Sequence, residues 1–322
     1  MKNVNTLLVC RPVDEEQKRK LRSALPETEI IYREFQETPG EEKSRVEVIL
    51  GNTPPSSLKE CPRLQWVQLA SAGSDSYMGY MPEGVVLTNA TGAYGEHISE
   101  HMLGALISLR HFFPKYYDNQ KSGVWRFEGV AKNLCGSTCV VLGMGDIGGC
   151  FARKMKAMGA YVIGVRRTDS RKPDYCDELY LTQELDKVLP RADVVAMALP
   201  NSPQTTGILS AERIAAMKPG AYVINVGRGT AVDQSALCDA LNSGHLGGAC
   251  VDVTTPEPLP ADHPLWQAKN ILITPHIAGG KLIGAPSELG LELFLENLKA
   301  WQNEKPLRNV VDMVSGYRKL EE

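Results

Sequence analysis

The sequence predicts an α/β chain of two parallel-sheet domains, the first of them discontinuous. Three observations carry this expectation. Short, continuously apolar runs alternate with amphipathic stretches along both halves of the chain. At 322 residues the chain is long enough for two ordinary cores. One junction between an apolar run and a helical stretch is rich in glycine.

Taken in order, the N-terminal "MKNVNTLLVCRPVDEEQ" holds a short apolar run followed by acids, with no small-residue cleavage site. It reads as a first strand, not a signal peptide. "DEEQKRKLRSAL" reads as an amphipathic helix, and "EVIL" and "LQWVQL" as two further buried strands. A long helical pattern then runs from about Glu96 to Arg110. Six apolar strand candidates follow: "CVVLG", "YVIGV", "VVAMAL", "YVINVG", "GACVDV" and "NILIT". Helical stretches such as "DIGGCFARKMKAMG" and "DQSALCDALNSG" separate them, and "ELGLELFLENLKAWQNEK" is a last amphipathic helix. The expected division is residues 1–101 with 287–322 as one domain and 102–286 as the other, with hinge closure where the chain crosses twice.

Composition excludes several classes. Hydrophobic residues make up 43% and charged residues 23%, as in soluble globular proteins. A net charge of −3 offers no polycationic surface for nucleic acid. No apolar run approaches the roughly 20 residues that span a bilayer. The 8 cysteines are scattered, form no C-x-x-C pair and have no zinc-site spacing. They read as packed thiols in a reducing, cytoplasmic protein with no metal.

"CVVLGMGDIGG" places Gly143, Gly145 and Gly148 in G-x-G-x-x-G spacing, with Met144, Asp146 and Ile147 between them. The pattern alone is weak. Here a strand leads in, a helix leads out and a second strand follows within about 30 residues, which is the context of a Rossmann-like dinucleotide site. Gly143 permits the tight turn and Gly145 leaves room for a diphosphate. Gly148 lets the helix pack on the strand, while the helix N-terminus offers free N–H donors. In such units an acid about 20 residues on bonds the ribose hydroxyls. This sequence has "VIGVRRT" there instead, with Arg166, Arg167 and Thr168 at the strand tip. A guanidinium pair fits a 2′-phosphate through forked, charge-assisted bonds, and Thr168 adds a hydroxyl. The expectation is NADP(H), with NAD(H) as the lesser alternative. A solvated strand end is the competing reading.

Three later strands end in polar residues that a purely structural sheet does not need. "YVINVGRGTAVD" delivers Arg228, "CVDVTTPEPLP" delivers Asp252 and Glu257, and "ILITPHIAGG" delivers His276. Ligands of open parallel sheets sit beyond the carboxyl ends of the strands. The motifs "GMGDIG", "NVGRGTAVD", "DVTTPEPLPADHPLW" and "TPHIAGG", with "SAGSD" near Ser71 and "PLRNVVD" near Pro306, make the chain resemble the D-isomer-specific 2-hydroxyacid dehydrogenases. That family includes glyoxylate and hydroxypyruvate reductases, formate dehydrogenase and phosphoglycerate dehydrogenase.

The resemblance implies a Rossmann-like dinucleotide domain beside a flavodoxin-like substrate domain, and a catalytic set of Arg228, Glu257 and His276. It implies that Asp252 holds the nicotinamide carboxamide and that the N–H groups near Ala72 and Gly73 receive the substrate carboxylate, with Arg228 and His276 also on the substrate. It extends the cofactor surface to Leu199, Pro200, Val226, Gly227, Ala278 and Gly279, beside Arg228 and His276. It further implies a homodimer built through the helical region after Glu96, with "GVWRF" at its periphery.

Each residue type suits reduction of a 2-oxo acid, which needs hydride on carbon and a proton on oxygen. A free imidazole titrates near neutrality, so His276 suits the proton transfer. Glu257 would fix its tautomer, and Arg228 can fork onto a carboxylate and polarise the keto oxygen. His97, His101, His111, His245 and His263 lack such a setting and read as structural or surface residues. "GAYGEH" near Tyr94 departs from the family's usual "PG" turn, leaving Tyr94 either at the substrate mouth or buried. The chain stops at Glu322, where no appended regulatory domain is expected. The partner expected is a small 2-oxo or 2-hydroxy acid, with no nucleic acid and no membrane. Two alternatives stand beside reduction with NADPH: an NAD-linked enzyme working in oxidation, and a dinucleotide-sensing, corepressor-like binding protein.

Overall fold

Residues 2–169, 171–280 and 285–313 are described by the computed structural model. By packing, the chain divides into two compact units, Met1–Tyr94 with Gly280–Glu322, and Gly95–Gly279. The expected boundaries lay seven residues further along at each crossing. The difference has a packing cause at the first one. Gly95–Arg110 is a single unbroken helix that lies against the helix Asp146–Ala157. A Cβ on Gly95 would stand 2.3 Å from Asp146 Oδ1, so the helix belongs to the second unit from its first residue.

The first unit is a five-stranded parallel sheet: β1 (Thr6–Cys10), β2 (Glu29–Tyr32), β3 (Val48–Gly51), β4 (Trp66–Gln68) and β5 (Val86–Thr88), in the order β2-β1-β3-β4-β5. This is the flavodoxin-like arrangement. The first apolar run of the chain is β1, and Asp14 caps the helix Glu15–Ala24 that follows, accepting from Gln17 N at 2.8 Å. β1, β3 and β4 bury both faces, which is why they read as apolar runs. Leu8, Ile49, Val67 and Leu87 face Phe35 and Leu58. Leu7, Val48, Leu50 and Trp66 face the helix Ala285–Gln302 through Leu291, Phe294, Leu298 and Trp301. Trp66 stacks on Phe294 with ring centroids 5.1 Å apart. That aromatic face holds the last helix on the first unit although some 200 residues separate them in sequence.

The second unit is a seven-stranded parallel sheet: β6 (Thr138–Leu142), β7 (Tyr161–Arg166), β8 (Glu178–Leu181), β9 (Val194–Met197), β10 (Ala221–Asn225), β11 (Leu246–Val251) and β12 (Ile271–Ile273). Its order, β12-β11-β10-β9-β6-β7-β8, reverses at β6/β9, the switch point where doubly wound sheets take ligands. All nine strands expected from apolar runs form. Three more, β2, β5 and β8, had no such run to announce them. β2 and β8 are edge strands with half-exposed residues, and β5 spans only Val86–Thr88.

Candidate active site

The glycine turn follows β6 at the switch point. Gly143 has φ +93°, a left-handed conformation that glycine adopts without strain, and a Cβ there would lie 2.6 Å from the Ala198 carbonyl oxygen. Its N–H donates to Val165 O at 3.0 Å, tying the turn to the tip of β7. A Cβ on Gly148 would fall 1.9 Å from Gly143 O, so only glycine lets the helix Asp146–Ala157 approach this closely. Gly145 differs: no heavy atom lies within 4 Å of where its Cβ would be. Open space at the N-cap of a 12-residue helix fits a diphosphate bound to backbone N–H groups.

Arg166 is the last residue of β7, one position past the carbonyl that holds Gly143, and Arg167 and Thr168 follow it. Arg166 is half-buried and Arg167 exposed. Across the switch point, Leu199 and Pro200 extend from β9, and the Leu199 backbone abuts Gly227, where a Cβ would meet Leu199 O at 2.5 Å. The expected cofactor surface is thereby brought to one edge of the sheet.

The other expected residues lie on three adjacent strands. The register aligns Asn225 of β10 with Val251 of β11, and Val251 with Ile273 of β12. Arg228 and His276 each follow three residues beyond this aligned row, and Glu257 six beyond. His276 Nδ1 and Glu257 Oε2 are 2.8 Å apart, and Glu257 Oε1 accepts from Thr254 N at 3.0 Å. The pair is open to solvent, with side-chain exposures of 53% and 37%. Arg228 Nη1 donates to Gly227 O at 2.7 Å. Its loop is squeezed: a Cβ on Gly229 would lie 2.1 Å from the Thr254 carbonyl carbon.

Asp252, buried, collects donors. Its Oδ1 accepts from Thr274 Oγ1 at 2.6 Å and Ile277 N at 2.9 Å, its Oδ2 from Ala278 N at 2.9 Å, and its backbone oxygen from His276 N at 2.8 Å. The carboxylate thus anchors the loop that carries His276, a job distinct from the carboxamide contact the resemblance implies. Two residues that sequence reasoning passed over complete the scaffold. Asn225 donates to Arg228 O at 2.9 Å and accepts from Gly227 N at 3.1 Å, and Thr274 links Asp252 to His101 Nε2 at 3.3 Å. Their signal is a polar residue closing an apolar run, "YVIN" and "ILIT". His101, His245 and His263 all meet neighbouring structural groups: Thr274 Oγ1, Ile214 O and Leu265 N.

In the first unit, Ala72 and Gly73 lie on the loop after β4, at the carboxyl edge of that sheet. Tyr94 is buried and donates its hydroxyl to Ala70 O. Burial pushes the Tyr94 phenol up from its usual range, with Arg11 pulling it back, so it stays a protonated donor at neutral pH.

A doubly wound sheet with a glycine turn at its switch point defines a dinucleotide-binding domain of the α/β class. The chain belongs to the D-isomer specific 2-hydroxyacid dehydrogenase family, whose NAD binding domain it matches over residues 103–278. It is accordingly an NAD(P)-dependent oxidoreductase of 2-hydroxy and 2-oxo acids. A family protein from Aeromonas salmonicida subsp. salmonicida A449 is 32% identical in sequence, with TM-score 0.86 over 97% of this chain and 100% of that one. The D-isomer specific 2-hydroxyacid dehydrogenase from Xanthobacter autotrophicus Py2, solved with NADPH and MES, is 29% identical (TM-score 0.84; 98% of this chain, 100% of that one). The NADPH-dependent glyoxylate/hydroxypyruvate reductase of Sinorhizobium meliloti, solved with NADP and sulfate, is 28% identical (TM-score 0.82; 97% and 100%). Among the described residues no helix is long and apolar enough to cross a membrane.

Proposed function

We propose that the protein reduces a small 2-oxo acid, such as glyoxylate, hydroxypyruvate or a branched-chain keto acid, to the D-2-hydroxy acid, with NADPH preferred over NADH. The observation that carries this reading is the 2.8 Å pairing of His276 Nδ1 with Glu257 Oε2 at the carboxyl edge of the sheet. Nδ1 is engaged, so Nε2 is the atom left to give a proton to the keto oxygen, and Glu257 fixes the ring's tautomer and orientation. Positioned proton transfer of this kind is worth ~10²–10⁴ in rate. Arg228 suits a forked contact to a substrate carboxylate and polarisation of a keto oxygen, and the N–H groups of Ala72 and Gly73, on the first unit, suit a carboxylate. The nicotinamide, when bound, supplies the hydride. Gly143 to Gly148 hold its diphosphate. Leu199, Pro200, Val226, Gly227, Asp252, Ala278 and Gly279 line its nicotinamide side.

Cofactor preference rests on Arg166, Arg167 and Thr168 at the tip of β7, where cations and a hydroxyl suit a 2′-phosphate. The two NADP(H)-bound relatives agree with it. The active species is proposed to be a cytoplasmic homodimer joined through the region after Glu96. In its support, Trp125, Phe127 and Val130 are largely exposed, a cluster that water alone does not favour.

A spectrophotometric screen of 2-oxo acids with NADPH and NADH tests both parts. Turnover of at least one acid is expected, with kcat/KM higher for NADPH. Arg166→Asp is expected to raise the KM for NADPH by about tenfold or more and to leave that for NADH nearly unchanged. NADPH binding without turnover of any acid would overturn the enzymatic reading, and equal effects on the two coenzymes would overturn the role of Arg166.

A further inference from the structure

We propose that Asn89, braced by Asn309 from the C-terminal segment, is a positioning residue that sets the anion-binding N–H groups of the loop after β4. The inference rests on the assignment of that loop to the substrate carboxylate.

Four consecutive carbonyls of the loop are each capped by a donor. Ala70 O accepts from the Tyr94 hydroxyl, Ser71 O from Ala90 N at 2.9 Å, Ala72 O from Asn89 Nδ2 at 2.9 Å and Gly73 O from Ser71 Oγ at 2.7 Å. The N–H groups of Ser71, Ala72 and Gly73 donate to no acceptor among the described residues. In a trans peptide the carbonyl of one residue and the N–H of the next point in opposite directions. Capping a carbonyl therefore aims the following N–H. The Asn89–Ala72 bond fixes the peptide plane that carries the Gly73 N–H, and the Ala90–Ser71 bond fixes the one that carries the Ala72 N–H. Successive N–H groups held this way form an anion-binding concavity, from which the repelling carbonyls are turned away.

Asn89 is itself locked. Its Oδ1 accepts from Thr91 N at 3.1 Å, which leaves Nδ2 as the only donor able to reach Ala72. Its backbone N–H donates to Asn309 O at 3.2 Å and its carbonyl accepts from Asn309 Nδ2 at 3.4 Å. Asn309 also donates to Thr91 O at 2.7 Å. It holds φ +57°, a left-handed conformation that asparagine tolerates better than most residues. Beside it, Val310 bridges Thr88 and Val311 N donates to Leu87 O at 2.9 Å. The segment near the C-terminus thus docks on β5 and braces Asn89, whose side chain in turn reaches the loop. Both asparagines are buried.

The test uses the full chain with NADPH. It measures the KM and kcat for the best 2-oxo acid, the Kd for oxamate (an unreactive isostere of a small 2-oxo acid) and the Kd for NADPH. Asn89→Asp is nearly isosteric but turns a carboxylate oxygen toward Ala72 O. It is expected to raise the KM and the oxamate Kd about tenfold or more, with kcat changed less than about threefold and the NADPH Kd unchanged. Asn309→Gly keeps the left-handed backbone while removing the brace, and is expected to raise both constants about threefold. It carries the test if the first variant does not fold. A folded variant that loses thermal stability but keeps its KM and oxamate Kd would show a merely structural role and overturn the proposal, while the wild-type activity would still stand. A wild-type protein that neither binds oxamate nor turns over any 2-oxo acid would overturn this proposal together with the function it rests on.

Discussion

The loop Ala70–Gly73 of the first unit and the loop Thr274–Ala278 of the second each follow a parallel strand and are each pinned by residues just past the end of a neighbouring strand, yet with opposite polarity. In the first, donors from Tyr94, Ala90, Asn89 and Ser71 consume the carbonyls, and what remains on offer is a row of N–H groups. In the second, Asp252 consumes the donors, taking the N–H groups of Ile277 and Ala278, the Thr274 hydroxyl and, on its carbonyl, the N–H of His276. What remains there is a side chain, the imidazole of His276, on a backbone at φ +52°. A left-handed non-glycine residue costs of order 1–3 kcal/mol and persists only where its surroundings over-determine it. Here four hydrogen bonds to one residue do so. A loop thus presents whatever its scaffold leaves unconsumed: backbone donors for an anion in one case, a titratable ring in the other.

The sharpest way to separate the two loops is by which kinetic constant each one moves. His276→Ala removes the group the second loop exists to present, and kcat is expected to fall ~10²–10⁴-fold with NADPH binding retained. Steady-state kinetics and a coenzyme titration check this, and an unchanged kcat would break the comparison at its centre. Asp252→Asn places an amide donor against the N–H groups it should accept from, displacing the His276 ring. A reacting group misplaced by about 1 Å loses up to ~10² in rate, so kcat should drop by tens of fold, accompanied by a lower melting temperature. If KM alone responded, the loop would not be held for catalysis. Tyr94→Phe should have the smallest effect. It deletes one of four carbonyl caps, worth about 1 kcal/mol, and is expected to raise the KM for the 2-oxo acid about two- to fivefold at constant kcat. Because burial raises the Tyr94 phenol, that difference should not vary between pH 6 and about 8. A KM difference that vanished within that window would mean the hydroxyl is not the working donor.

Much of the fold was legible because burial on both faces writes itself into the sequence. β1, β3, β4, β6, β7 and β9 to β12 read as apolar runs for that reason. β2 and β8 did not, since an edge strand with half-exposed residues such as Glu29 or Glu178 carries no continuous apolar signature. The glycine turn was legible through its spacing, and Arg228, Glu257 and His276 through motifs at strand ends. Asn89, Asn225 and Thr274 were not singled out. A lone polar residue ending an apolar run can be a solvated strand tip as easily as a clamp, and only the identity of its partner distinguishes the two.

By itself the sequence determined what is local: which segments are strands, where glycine permits a left-handed turn or a close approach, and which chemical groups stand at strand ends. The tertiary structure alone decided the pairings. It set Asn89 against Ala72 and Asn309, Asp252 against the loop that bears His276, and the helix Ala285–Gln302 against Trp66. Periodicity and spacing act over a few residues, whereas a hydrogen-bond partner is fixed by strand order and register, which bring residues together at any separation along the chain.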